Sequence, residues 1–107
     1  MGFHDVKQRV IRCLDAQAFD SDVRGAMVEN NLLATGQVSA EEVKRIIGRC
    51  NGTQYTAKPM TEDPDTLKHE MKPVVDGEQW FIRFYFVELA GDLAVFISVH
   101  KSKFARG

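Results

Sequence analysis

Two alternating stretches, residues 80–86 and 93–100, put Phe81, Arg83 and Tyr85 on one face of a strand and Phe96, Ser98 and His100 on the same face of the next. That face gathers a guanidinium, a phenol, a hydroxyl and an imidazole among aromatic rings. A guanidinium grips a phosphate through two parallel hydrogen bonds, an imidazole titrates near neutral pH, and a phenol donates a hydrogen bond or stacks on a base. Together they supply the cation, acid and base needed for a ribose 2'-hydroxyl to attack its neighbouring phosphate, a reaction that needs no metal. Arg83 and His100 are the first candidates, with Tyr85 beside them. The base is His69 or Glu70, with His69 preferred. Lys58, Lys68, Ser98, Lys101 and Lys103 are the candidate RNA contacts. The plain structural alternative is an Arg83–Glu70 ion pair worth about 0.5 kcal/mol if exposed, with Tyr85, Phe81 and Phe96 forming a minor apolar cluster.

The positions of these groups depend on strand register. A turn at 89–92 that pairs Glu88 with Leu93 sets Arg83 opposite Ser98, Tyr85 opposite Phe96 and Phe81 opposite His100. The other face then carries Trp80, Ile82, Phe84 and Phe86 against Leu93, Val95, Ile97 and Val99, which reads as core. Asp76-Gly77 is a two-residue hairpin signal. Used as such it places Glu70 opposite Arg83 and turns His69 towards the helices, whereas a one-residue bulge brings His69 beside Arg83.

Upstream, Phe3, Val6, Val10, Cys13 and Leu14 recur at helical spacing and predict a helix over 3–17. A capping region at 20–22 introduces a second helix over 23–33 that ends near Gly36. Ser39 followed by Glu42 is a capping box that opens a third, with Val43, Ile46, Ile47 and Cys50 on one side and Asn51-Gly52 as its stop. Strands are expected over 55–60 and 67–75, separated by a loop at 61–65. The expected fold is α+β, with about three N-terminal helices on one face of a mostly antiparallel sheet of about four strands.

With 107 residues and 44% hydrophobic content the chain reads as one domain, 1–107. No apolar run is long enough for a membrane span, and the N-terminus lacks the apolar stretch of a secretory signal, so a cytoplasmic location is expected. The net charge of −1 leaves any basic surface local. Cys13 and Cys50 lack metal or redox spacing and read as buried thiols. There is no phosphate loop, zinc-helix motif or nucleophile elbow. His69, Glu70 and His100 are too few and too dispersed for a metal site, and no cofactor is assigned.

The stretch from about 55 to 103 resembles the small ribonuclease toxins of the RelE, HigB and MqsR type. The likeness rests on a loop carrying Lys58 and Met60-Thr61, a hairpin after Pro73 and a last strand ending in the basic segment VFISVHKS. It implies helices on one face of an antiparallel sheet, metal-independent endoribonuclease activity that blocks translation, and a cognate antitoxin protein as partner. Two other classes compete. One is a non-catalytic protein-binding module such as an immunity protein, antitoxin or adaptor, whose support is the acidic loop Glu62-Asp63-Pro64-Asp65. The other is a small-ligand or structural domain in which the polar face lines a pocket without chemistry.

Overall fold

The computed structural model describes residues 2–21, 31–88 and 90–101. Its elements run in the order α1 (Phe3–Asp15), β1 (Phe19–Ser21), α2 (Leu32–Thr35), α3 (Ala40–Gly48), a short 3-10 turn (Gly52–Gln54), β2 (Tyr55–Pro59), β3 (Leu67–Met71), β4 (Val74–Val75), β5 (Glu78–Glu88) and β6 (Asp92–Lys101). The α+β class stands, but the sheet is not the four-stranded one expected from the sequence. It has six strands in the order β1-β6-β5-β3-β2, with β4 paired to β5 off that path, and it is mixed because β1 runs parallel to β6.

Each difference has a local cause. Phe19-Asp20-Ser21, too short to show alternation and overlapping the capping region expected at 20–22, becomes a strand because β6 offers it a free edge. Phe19 lies edge-on to Phe96 at 6.3 Å, and the Ala94 amide donates to the Ala18 carbonyl. The stretch 67–75 is two strands because Pro73 has no N–H for a continuous ladder. Instead the Pro73 carbonyl accepts from the Trp80 amide. The expected second helix falls mainly on residues outside those described, and α2 begins only at Leu32. Asn31, fully buried, is its N-cap. Its Oδ1 accepts from the Ala34 amide, its Nδ2 donates to the Phe96 carbonyl at 2.9 Å, and its backbone bridges Val99.

The capping box of α3 forms as expected, with Ser39 Oγ accepting from the Glu42 amide and Glu42 Oε1 accepting from the Ser39 amide. Helix α1 ends in a Schellman motif. The Ala18 amide donates to the Cys13 carbonyl and the Gln17 amide to the Leu14 carbonyl, with Gln17 held at φ 56°.

Between β5 and β6 the pairs Phe81–His100 and Arg83–Ser98 form as expected. A bulge follows. Phe84 pairs with Phe96 and Glu88 with Asp92, leaving Ile97 as the extra residue. The connecting turn is one residue shorter than the sequence reading, and that residue reappears within the strand. The bulge inverts the first half of β6: Phe96 and Ala94 face the core beside Phe84 and Phe86, and Val95 and Leu93 lie on the opposite face beside Tyr85 and Val87. The expected core set of Leu93, Val95 and Ile97 is therefore replaced by Ala94 and Phe96. Val6, Val10, Cys13, Leu14, Val43, Ile46 and Ile47 of α1 and α3 pack on Met71, Ile82, Phe84, Phe96 and Val99.

Replacing Phe84 with Ala should cost about 3–5 kcal/mol in urea unfolding, because its ring is fully buried between His69, Phe86 and Phe96. A parent-like midpoint would refute this packing. Gln17→Gly should raise stability by about 0.5–1 kcal/mol, since glycine occupies the left-handed region without a Cβ clash. An unchanged or lowered melting temperature would contradict the strain assigned to that cap.

Candidate functional site

The sheet has two faces with different chemistry. On the outer one, away from the helices, a row of side chains crosses four strands: Thr56, Glu70, Arg83 and Ser98. The Asp76-Gly77 turn is the two-residue form, with positive φ at both positions, and it sets Glu70 opposite Arg83. Arg83 Nε donates to Glu70 Oε2 at 2.6 Å, Lys72 Nζ lies 3.8 Å from Glu70 Oε1, and Thr56 Oγ1 donates to Oε1 at 3.4 Å. Burial pushes the Glu70 pKa up, but the Arg83 bond and charge, with Lys72 and Thr56, outweigh it and leave the carboxyl below its ordinary value. A carboxylate so held is a poor proton acceptor at neutral pH.

His100 lies on this face, half-buried against Phe81 at 5.5 Å, one diagonal step from Arg83. Its Nδ1 is 2.9 Å from the Lys101 carbonyl, which can only accept, so Nδ1 carries the hydrogen. Ser98 is buried. Lys101 alternates to the other side, where it pairs with Glu78 at 2.8 Å over the Trp80 ring. Lys58 and Lys68 remain on the outer face, directly opposite one another. Lys103 lies outside the described residues.

His69 is not with them. The register that unites Glu70 and Arg83 sends it through the sheet to the helix side, where it is buried. Its ring stacks between Tyr55 at 5.9 Å and Phe84 at 5.3 Å, and its Nδ1 shares a hydrogen bond with the Tyr55 hydroxyl at 2.8 Å. Burial first, and then the charge of Arg9, lower its pKa to about 4. Burial also raises that of Tyr55. At neutral pH the pair is an uncharged imidazole and an uncharged phenol.

His69 lines a cavity of about 810 Å³ beyond the point where the β3–β5 ladder stops at His69–Phe84, bordered by the β2–β3 loop and the end of β5. Its walls include Tyr55, Tyr85, Phe86 and Met60, and its rim carries Glu62, Asp63, Asp65 and Glu88. Tyr85 thus pairs with Val95, not Phe96, and borders this cavity. Arg9 closes one side. Its Nε and Nη2 bond both oxygens of Asp92 at 2.8 and 2.7 Å, Nη2 reaches Glu88 at 3.2 Å, and the guanidinium sits 4.1 Å over the Phe86 ring. The Asp92 bond, against a smaller opposing effect of burial, raises the pKa of Arg9 and lowers that of its partner. The acidic loop is built, not loose: Asp63 accepts from the Asp65 amide and the Thr66 hydroxyl, and the Met60 amide donates to the Thr66 carbonyl.

Arg9 and Tyr55 escaped the sequence reading, because one sat among the outward charges of a helix and the other in a short strand. The only local signal was the pair of carboxylates, Glu88 and Asp92, flanking one tight turn. Cys13 and Cys50 are buried free thiols whose pKa values burial raises. Among the described residues no three His, Cys, Asp or Glu side chains cluster as metal ligands, and no helix is long and apolar enough to cross a membrane. Comparison with family models, with curated proteins and with solved structures finds no match to this chain.

The His69 shift has a thermodynamic consequence. Its folded pKa lies below the ordinary value of 6.5, so the unfolded chain binds the proton more tightly. The His69 contribution to stability should be level well above pH 6.5 and fall by roughly 3 kcal/mol as pH drops towards 4, the first part of that fall preceding the titration of the carboxylates. His69→Gln, which keeps a hydrogen-bonding partner for Tyr55 but does not titrate, should flatten that limb. A parent whose urea midpoint is level from pH 6.5 to 4.5 would show that His69 is not held neutral by burial.

Proposed function

We propose that this chain is a non-catalytic protein-binding module that works in the cytosol and takes a basic partner segment into the cavity beside His69. The observation that carries this reading is the composition of that cavity among the described residues: aromatic walls under a rim that carries Glu62, Asp63, Asp65 and Glu88, with Arg9 at one side. A lysine or arginine entering it meets opposite charge at the mouth and ring faces within. The volume lies in the range of specific binding pockets. The neutral His69–Tyr55 pair adds hydrogen-bonding capacity without a competing charge. The free thiols of Cys13 and Cys50 accord with a reducing compartment.

A panel of immobilised peptides tests the reading. Lysine- and arginine-rich peptides should bind, acidic and neutral ones should not, and affinity should fall with salt. Asp65→Lys should weaken binding by about tenfold while leaving the melting temperature unchanged. Equal binding of acidic and basic peptides would dispose of the proposal.

A second reading is a metal-independent ribonuclease of the toxin type, with RNA as substrate and an antitoxin as partner. It draws on one observation, the sharing of the outer face by Arg83 and His100. The proton-transfer partner it needs is weakly provided, since Glu70 is held by Arg83 and His69 faces the other side. If this reading holds, labelled single-stranded RNA is cut in the presence of a chelator, and Arg83→Ala and His100→Ala each slow cutting about a hundredfold. Intact RNA after incubation with folded protein would eliminate it.

A further inference from the structure

On the outer face of the sheet, β2 and β3 set Lys58 directly across from Lys68. Like charges in that position repel and weaken a sheet. Neither ammonium has an ion pair or hydrogen bond among the described residues. The one carboxylate nearby, Glu70, is already held through Oε2 by Arg83 and through Oε1 by Thr56 and Lys72. Arg83 spends only Nε on that contact, so its two Nη groups have no partner among the described residues. Thr56, Lys58, Lys68, Glu70 and Arg83 together line a pocket of about 190 Å³, with room for a tetrahedral oxyanion and its waters.

We propose that this pocket is a phosphate-binding site, in which Lys58 and Lys68 close on the anion as a pincer and the Arg83 Nη groups donate to it. The anion converts a repulsive cross-strand pair into an attractive one, and Glu70 sets the orientation of the guanidinium that receives it. The phosphoryl group comes either from a free phosphate or phosphate monoester, or from the backbone of a single-stranded RNA. This pocket shares no lining residue with the acidic cavity and does not depend on the peptide-binding reading.

The test is a titration of the isotopically labelled protein with inorganic phosphate at constant ionic strength, followed by amide NMR. Saturable shifts confined to β2, β3 and the Arg83 region of β5 are expected. Lys68→Thr and Lys58→Thr should each weaken binding by about tenfold or more. With no phosphate present, Lys68→Thr should melt higher than the parent, because the repulsion is gone, whereas added phosphate should raise the melting temperature of the parent more than that of the variant. General salting effects rise without saturation and act on both proteins equally. Shifts that never saturate, that centre elsewhere, or that persist undiminished in both variants would overturn the site. A short single-stranded RNA identifies the source: displacement of phosphate by it assigns a phosphodiester, and failure to displace assigns a free phosphate or monoester.

Discussion

Strand β6 holds one residue more than its partner between Ser98 and Phe96, and much of the molecule depends on that bulge. A strand with strict alternation would have put Val99 and Ile97 into the core and Phe96 outside. The extra residue shifts the period, so Val99, Phe96 and Ala94 all face the helices. Phe96 is the most consequential of the three. Its ring packs on Phe84 and Phe19, and its carbonyl receives the Asn31 side chain that caps α2 and helps fix the chain leading into it. Without the bulge the strand edge that accepts β1 would present the wrong residues.

Arg9 plays the corresponding part at the other end of the sheet. The short turn after β5 leaves Glu88 and Asp92 opposite each other. Two carboxylates in that position repel, and Arg9, projecting from α1, neutralises both while covering Phe86. One contact thereby joins the first helix to the last hairpin, forms one wall of the cavity and helps keep His69 uncharged. The cavity exists because β3 and β5 part at His69–Phe84, just where the ordered acidic loop begins its return.

The two sheet faces therefore carry opposite electrostatic character although the chain as a whole is nearly neutral. Carboxylates collect around the cavity on one side, and lysines with Arg83 on the other. The β2–β3 hairpin contributes to both: its loop brings Glu62, Asp63 and Asp65 to the cavity beside Leu67 and His69, while Lys58, Lys68 and Glu70 point to the other side. A hairpin built in this way gives a small domain two chemically independent surfaces.

The sequence alone determined the features that rest on local rules. The heptad-like spacing of Val6, Val10, Cys13 and Leu14 placed α1, the Ser39–Glu42 box began α3, and Asp76-Gly77 signalled the hairpin, while the choice between Glu70 and a bulged His69 beside Arg83 was made by the folded register. The candidate outer face was legible for the same reason, since a turn of defined length transmits register along a ladder. What the tertiary structure decided are the features that need a distant partner. Phe19 to Ser21 is a strand only because β6 has an edge to offer, and Asn31 begins a helix only because a carbonyl of β6 receives its amide. The bulge at Ile97 arises from competition among core side chains for one side of the sheet. Arg9 meets Asp92 across 83 residues of chain, and nothing in the residues around either one announces the other. Local propensities act within a few residues, whereas burial and charge pairing are settled between whichever groups the folded chain brings together.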